Sequence, residues 1–197
     1  MVEKGIVYGR FQILHFKHLE YFLAAKMRCR KLYIGIMVPD SSYLEEEEPM
    51  SELERDPWKE PKTVDYRVRK GANPLTYIER YEMVRDAILS FGVPREEFEI
   101  VPFPLEKPEL LREYVPGDAT CFLSICDDWT RKNQEKLEEL GFQTEVLWNR
   151  NPEEKGTTGT QVRQRILAGE KWSDLVPRTV YEYILDHGID DRIKYTK

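Results

Sequence analysis

Short apolar runs alternate with amphipathic stretches along most of the chain, and this alternation constrains the fold more than any other feature. The first apolar run, Gly5 to Tyr8, is β-branched and aromatic and ends at Gly9, which is typical of a buried strand that meets a tight turn. Apolar positions from Phe16 to Cys29 then recur at helical spacing, and a second apolar run covers Leu32 to Val38. This order predicts a βαβ unit with a right-handed crossover and a parallel strand pair.

Strand and helix patterns keep alternating from residue 73 onward. Asn73 is predicted to cap a helix that has Pro74 in its first turn. Further strands are predicted at 98–103, 120–125 and 144–148, and further helices at 131–140, 159–168 and 178–186. The predicted fold class is therefore α/β, a Rossmann-like open parallel sheet of about five strands with helices on both faces and C-terminal helices. Ligands bind beyond the C-terminal ends of such strands, so we expect the chemistry in the turn after the first one.

Residues 40–72 interrupt the alternation. They hold ten acidic and six basic side chains and three prolines, and they keep no period for long. A patternless stretch of this length is usually a lid, an insertion or a mobile segment. We therefore predict a single domain over residues 1–197 with an acidic insertion, which could close over a substrate or form a solvated loop.

The composition argues against several function classes. The 30 lysines and arginines against 36 aspartates and glutamates give a net charge of −6, and no basic stripe suited to nucleic acid is present. No apolar stretch approaches the roughly 18 to 20 residues that cross a bilayer, and no signal-peptide pattern begins the chain, so a cytoplasmic protein is expected. The three cysteines lack C-x-x-C spacing, which disfavours a disulfide framework or a structural zinc site. The oligomeric state stays open, a homo-oligomer included.

Two of the three histidines, His15 and His18, lie in the turn after the first predicted strand. They are three residues apart where a helix begins, so both imidazoles can face one ligand. Unpaired backbone N–H groups at a helix start favour an anion, and a polyphosphate is expected. Two ordinary surface histidines are the alternative. Zinc is disfavoured because Phe16 and Lys17, and no glutamate, separate the pair.

A second anion site is predicted between Gly156 and Ile166. Threonine hydroxyls there precede a helix whose first turn presents Arg163, so N–H donors, hydroxyls and a guanidinium can meet phosphate oxygens. A helix cap followed by a solvated arginine would show the same pattern. The two predicted anion sites require two helix starts to converge in space.

Four segments resemble motifs of the nucleotidylyltransferase superfamily. Gly9 to His18 resembles the signature G-R-F-Q-P-F-H-x-G-H, and Thr158 to Arg163 resembles the motif I-S-G-T-x-[VI]-R. Asn73 to Arg80 and Gly169 to Pro177 are similar to segments of the archaeal-type nicotinamide-mononucleotide adenylyltransferases. Because the segments occur in the family's order, an accidental match is far less probable than for either motif alone.

The resemblance implies an enzyme that joins a nucleoside triphosphate to a phosphorylated acceptor and releases pyrophosphate. ATP and nicotinamide mononucleotide (NMN), which give NAD, are the first expectation. CTP with another phosphate- or phosphonate-bearing acceptor is the alternative, and an inactive nucleotide sensor is a lesser one. The acceptor's own oxygen is the nucleophile, so positioning and charge stabilisation can supply the catalysis. Mg²⁺, bound mainly through the triphosphate, is the expected cofactor, with no metal ligands assigned to the protein.

The same resemblance assigns residues to the reaction. The catalytic candidates, expected to contact the triphosphate, are His15, His18 and Arg163. The nucleotide-binding candidates are Gly9, Arg10, Phe11, Gln12, Thr158, Gly159 and Thr160. The acceptor-binding candidates are Asn73, Arg80, Asp127, Asp128 and Trp129. For the last three, the alternative is that an aspartate caps the next helix while the indole packs.

The match to the signature is incomplete. Lys17 stands where the signature has glycine, and Ile13 and Leu14 replace its Pro-Phe. The Lys17 side chain must point outward or meet a phosphate itself, and the outward orientation is favoured because lysine usually keeps its ammonium in water. The segment from Ser124 to Trp129 also departs from the adenylyltransferases, which leaves the acceptor open.

Overall fold

One parallel sheet of five strands forms the centre of the molecule. The computed structural model describes residues 1–38, 72–151 and 156–195, so the predicted insertion lies outside the described residues except for its last one. The strands are β1 (Val2–Gly9), β2 (Cys29–Met37), β3 (Phe98–Phe103), β4 (Thr120–Ile125) and β5 (Gln143–Asn149). Their order is β3-β2-β1-β4-β5, and every neighbouring pair is parallel. The predicted Rossmann-like sheet is confirmed.

Helices cover both faces of the sheet, as predicted. They are α1 (Phe16–Lys26), α2 (Tyr77–Ser90), α3 (Leu111–Tyr114), α4 (Asp128–Glu139), α5 (Gly159–Ala168), α6 (Arg178–Asp186) and α7 (Ile189–Tyr195). Successive residues of β1 point to opposite faces of the sheet. Ile6 belongs to the apolar core under α3 and α4, and Val7 belongs to the core under the remaining helices. None of the helices in the described ranges combines the length and the apolar character that a membrane span requires.

The predicted start of α2 was wrong. The helix is capped by Thr76, whose hydroxyl accepts from Glu79 N at 3.3 Å, while Glu79 Oε2 accepts from Thr76 N at 2.8 Å. This reciprocal capping box satisfies the backbone N–H groups of Thr76 and Glu79. The N-cap is therefore Thr76, where the sequence predicted Asn73. The preceding Leu75 is committed elsewhere, since its N–H donates to Gln12 Oε1. A fold-level contact therefore sets where the helix begins.

The strand order reverses between β1 and β4, and this reversal places a crevice at one edge of the sheet. The two strands pair at Gly5–Thr120 and Ile6–Cys121. Both strands run on past these pairs, β1 to Gly9 and β4 to Ile125. A ligand can therefore lie between their C-terminal ends.

Candidate active site

A cavity of about 500 Å³ opens at the C-terminal ends of β1 and β4, where the sheet topology predicts a ligand. Its walls come from five segments: the turn after β1 with the first half of α1, the end of β2 at Met37, the junction of β4 and α4, the end of β5, and residues 157–160 at the start of α5. Chain segments more than a hundred residues apart thus meet around one space.

The two predicted anion sites are one site. The cavity lining includes eleven of the predicted residues: Gly9, Arg10, Phe11, Gln12, His15, His18, Asp127, Trp129, Thr158, Gly159 and Thr160. The turn after β1 and the start of α5 touch directly, since a Cβ added to Gly159 would lie 2.5 Å from the carbonyl oxygen of Gln12. In the described part of the chain, the remaining candidates Asn73, Arg80, Asp128 and Arg163 do not line the cavity.

The two histidines face the cavity together. His15 is the N-cap of α1 and is 5% exposed, and its ring stacks on that of His18 with 3.7 Å between the centroids. His18 Nδ1 accepts from the backbone N–H of His15 at 3.4 Å. In neutral His18 this hydrogen bond puts the proton on Nε2, which is then the donor for a ligand. The edge of Phe11 packs against His18, with 5.0 Å between their centroids.

The turn that carries these groups is held from the α2 side by two polar residues. Gln12 Nε2 donates to Leu75 O at 3.0 Å, and Gln12 Oε1 accepts from Leu75 N at 2.9 Å, both in the interior. Arg80 donates through Nη1 to the carbonyls of Arg10 at 3.0 Å and Met37 at 2.8 Å. Burial lowers the pKa of Arg80 to about 10. The guanidinium of Arg80 thus joins the turn to the end of β2. This geometry favours a positioning role for Arg80 over the expected contact with the acceptor.

Arg163 holds the same turn from the α5 side. It is 7% exposed, and its guanidinium donates through Nη1 to the carbonyl of Gln12 and through Nη2 to Thr160 Oγ1 at 3.2 Å. Thr158 caps α5 by accepting from Gln161 N at 3.2 Å. The structure brings Thr158 to the cavity wall but leaves the Arg163 guanidinium behind it. This arrangement favours a positioning role for Arg163 over the expected contact with the β and γ phosphates.

Of the acceptor candidates after β4, Asp127 both caps a helix and lines the cavity, and Trp129 lines the cavity. Asp127 Oδ1 accepts from Thr130 N at 2.9 Å and caps α4, which begins at Asp128 and not at the predicted Arg131. The capping alternative is therefore confirmed for Asp127. Trp129 lines the cavity and also packs against the core under α3 and α4.

Two basic residues of the cavity lining, Lys17 and Arg150, lay outside the sequence-based candidates. Arg150 follows β5, and its Cζ lies 4.4 Å from the ring centroid of Trp148. Lys17 lines the wall near the start of α5. The position of Arg150 directly after a predicted parallel strand was the available signal, because such positions face the ligand edge of the sheet.

The described residues contain no group of three or more His, Cys, Asp or Glu side chains that could hold a metal ion. Asp127 is the acidic residue in the cavity lining, and its carboxylate already caps α4. The donor set of the cavity suits an anion better than a bare cation.

Comparisons with known proteins agree with this geometry. No model of a protein family matches the chain. The chain is 40% identical over 192 residues to the phosphonoformate cytidylyltransferase of Streptomyces viridochromogenes, covering 96% of this chain and 95% of that one. It is 25% identical over 193 residues to the nicotinamide-nucleotide adenylyltransferase of Saccharolobus solfataricus, with 98% and 96% covered.

A solved structure shares the fold. A bifunctional NMN adenylyltransferase/ADP ribose pyrophosphatase from Francisella tularensis superposes with a TM-score of 0.66 at 15% identity. The match covers 98% of this chain and 53% of that one, so the chain spans about half the length of that protein. The likeness of sequence over nearly the whole of both chains decides the family: this chain belongs to the nucleotidyltransferases that include phosphonoformate cytidylyltransferase and the archaeal nicotinamide-nucleotide adenylyltransferases.

Proposed function

We propose that this nucleotidyltransferase transfers a cytidylyl group from CTP to a small phosphonate-bearing acceptor and releases pyrophosphate. The observation that carries the proposal is the 40% identity to a phosphonoformate cytidylyltransferase across 96% of the chain, against 25% to a nicotinamide-nucleotide adenylyltransferase. The departures of Lys17 and of residues 124–129 from the adenylyltransferase pattern support the same choice.

The proposed reaction needs no nucleophile from the protein. An oxygen of the acceptor phosphonate forms a bond to the α-phosphorus, the bond from that phosphorus to the bridging oxygen breaks, and the electron pair leaves with pyrophosphate. Mg²⁺ bound to the triphosphate would neutralise part of the phosphate charge. The protein contributes in-line positioning and donors aimed at the oxygens where charge develops.

His15 and His18 are the proposed donors to the α-phosphate and the leaving oxygen. Their placement is fixed in advance, because hydrogen bonds of Gln12, Arg80 and Arg163 hold the turn before α1. A rigid donor array costs little reorganisation as the transition state forms. The hydroxyl of Thr158 and the N–H groups at the start of α5 are proposed to bind further phosphate oxygens in the same cavity.

A second candidate is adenylyl transfer from ATP to NMN. One observation favours it: the segment from Thr158 to Arg163 resembles the adenylyl branch of the superfamily more than the cytidylyl branch. The reaction geometry is the same for both candidates, so only the base and the acceptor distinguish them.

A matrix of the four triphosphates against phosphonoformate and NMN tests the proposal. Pyrophosphate release is measured for each pair, and mass spectrometry identifies each product. We expect kcat/KM for CTP with phosphonoformate to exceed every other pair by roughly a hundredfold, since a site built to hydrogen-bond its substrate rejects analogues strongly. If NAD is the preferred product, the proposal is wrong and the second candidate, adenylyl transfer to NMN, is correct. Triphosphate binding without any turnover would indicate a sensor.

A further inference from the structure

Lys17, the residue at the glycine position of the family signature, lies between the two helix starts. It is the second residue of α1 and lines the cavity. Its side chain passes over the segment that leads into α5, because a Cβ added to Gly156 would lie 3.1 Å from Lys17 Cε. Gly156 also has a φ of +67°, so a larger residue there would be strained as well as crowded. The ammonium is thus directed along the wall that both helix starts share.

Lys17 and Arg150 share one carboxylate. Lys17 Nζ lies 2.7 Å from Glu20 Oε2, and Arg150 Nη2 lies 3.0 Å from Glu20 Oε1. The hydrogen bond from Lys17, followed by that from Arg150, lowers the pKa of Glu20. Two cations that line the cavity therefore flank a single ionised carboxylate, and the cluster keeps one positive charge in excess.

Local helix stability does not account for a lysine at this position. A cation in the first turn opposes the helix macrodipole, and the first turn of α1 contains no acidic residue. Residues that conflict with local rules are concentrated at functional sites. An anion bound at the start of α1 would remove the conflict, because it would meet the ammonium at the positive end of the helix dipole.

The other cation expected near this wall is engaged elsewhere. The guanidinium of Arg163 is bound to the carbonyl of Gln12 and to Thr160, behind the cavity lining. The side chains of Lys17 and Glu20 are 42% and 38% exposed, and ion pairs of that exposure contribute little to stability. A phosphate group, which forms stronger charge-assisted hydrogen bonds, can therefore take the place of Glu20.

We propose that Lys17 binds the β and γ phosphates of the triphosphate, and that Glu20 is a competing anion which pairs with the ammonium in the unliganded protein and remains on Arg150 when the phosphate displaces it. The proposal rests on the proposed function only in that the substrate is a triphosphate. It is independent of the base and of the acceptor.

Calorimetric binding of Mg²⁺-tripolyphosphate tests the proposal without any base or acceptor. We expect Lys17→Gln to raise the dissociation constant about tenfold, the loss of one charge-assisted contact. Glu20→Gln should have the opposite sign and lower the dissociation constant about threefold, because it removes the competing anion from a partly screened pair. In turnover, Lys17→Gln should raise KM for the triphosphate while kcat stays within about threefold.

Lys26→Gln is the matched control. Lys26 lies in the last turn of the same helix, pairs with Glu97 at 2.8 Å, and does not line the cavity, so its replacement should leave tripolyphosphate binding unchanged. Lys17→Arg keeps the charge and should retain most of the affinity.

Two outcomes would overturn the proposal. If Glu20→Gln binds tripolyphosphate more weakly, as Lys17→Gln does, the Lys17–Glu20 ion pair only stabilises the local structure. An unchanged dissociation constant in Lys17→Gln, with KM raised for the acceptor alone, would also overturn it. A wrong choice of base or acceptor would appear only in the substrate matrix and would leave these binding results intact.

Discussion

The starts of α1 and α5 meet at one cavity but use their residues differently. At α1 the N-cap is His15, and the cavity-lining side chains His15, Lys17 and His18 are presented to the ligand space. At α5 the N-cap is Thr158, an ordinary capping residue, and Arg163, the fifth residue of the helix, reaches back to a backbone carbonyl of the other segment. One helix start presents functional groups, and the other supports the turn that carries them.

This division has a physical basis. At α1 the two imidazoles form the capping box themselves, so the residues that cap the helix are also those that line the cavity. The support comes from α5, which approaches so closely that Gly159 has no space for a Cβ beside Gln12. The comparison predicts that changes at α1 affect chemistry, whereas changes at α5 affect stability first.

The largest effect is expected from His18→Ala. Loss of a donor aimed at the developing charge should lower kcat about 10³-fold, equivalent to roughly 4 kcal/mol. The melting temperature should change little, because His18 is half-buried and outside both apolar cores. Pyrophosphate release measures the rate. His187→Ala is the matched control, since that histidine stacks on Tyr183 away from the cavity. A loss of kcat below tenfold would contradict the assignment of the catalytic groups to the start of α1.

Arg163→Gln should act mainly on stability. It leaves the buried carbonyl of Gln12 without its charged donor, which should cost about 2 to 3 kcal/mol in the free energy of unfolding. Denaturant unfolding measures this loss, and kcat should also fall because the turn shifts. Arg165→Gln is the control, because Arg165 bonds Lys171 O at 2.9 Å and Asp174 on the outer side. An increase in KM for the triphosphate at unchanged stability would instead support direct phosphate contact by Arg163.

Much of the fold could be predicted because buried parallel strands are continuous apolar runs. The predicted 98–103 and 120–125 match β3 and β4 at both ends. Helix boundaries were less predictable where fold-level contacts set them, as at Thr76. The helix α7 was missed because its seven residues bury Ile189 and Ile193 among charged neighbours, too short a stretch to establish a helical period.

The candidate site was predictable only in so far as it is local. The histidines and glycines around β1 and α5 form contiguous motifs, and the structure brings them to one cavity. The orientations of Arg80 and Arg163 were not predictable, since each depends on a carbonyl of the turn after β1 that the fold places beside it. Glu20, which also pairs with Lys17, bonds Arg150 over a separation of 130 positions, and no sequence pattern records this contact.

The smallest and most discriminating effect is expected from Thr158→Ala, compared with the same change at Thr76. Both threonines cap a helix, so each replacement should lower the free energy of unfolding by about 1 kcal/mol. A hydroxyl that accepts from the helix N–H can still donate its own proton, and in the described structure Thr158 lines the cavity whereas Thr76 does not. Thr158→Ala should therefore also raise KM for the triphosphate about fivefold, the loss of one hydrogen bond, and Thr158→Ser should restore both quantities. Equal KM values in the two alanine variants would show that the Thr158 hydroxyl does not bind the triphosphate. The start of α5 would then only stabilise the turn after β1, and the start of α1 alone would supply side chains to the ligand.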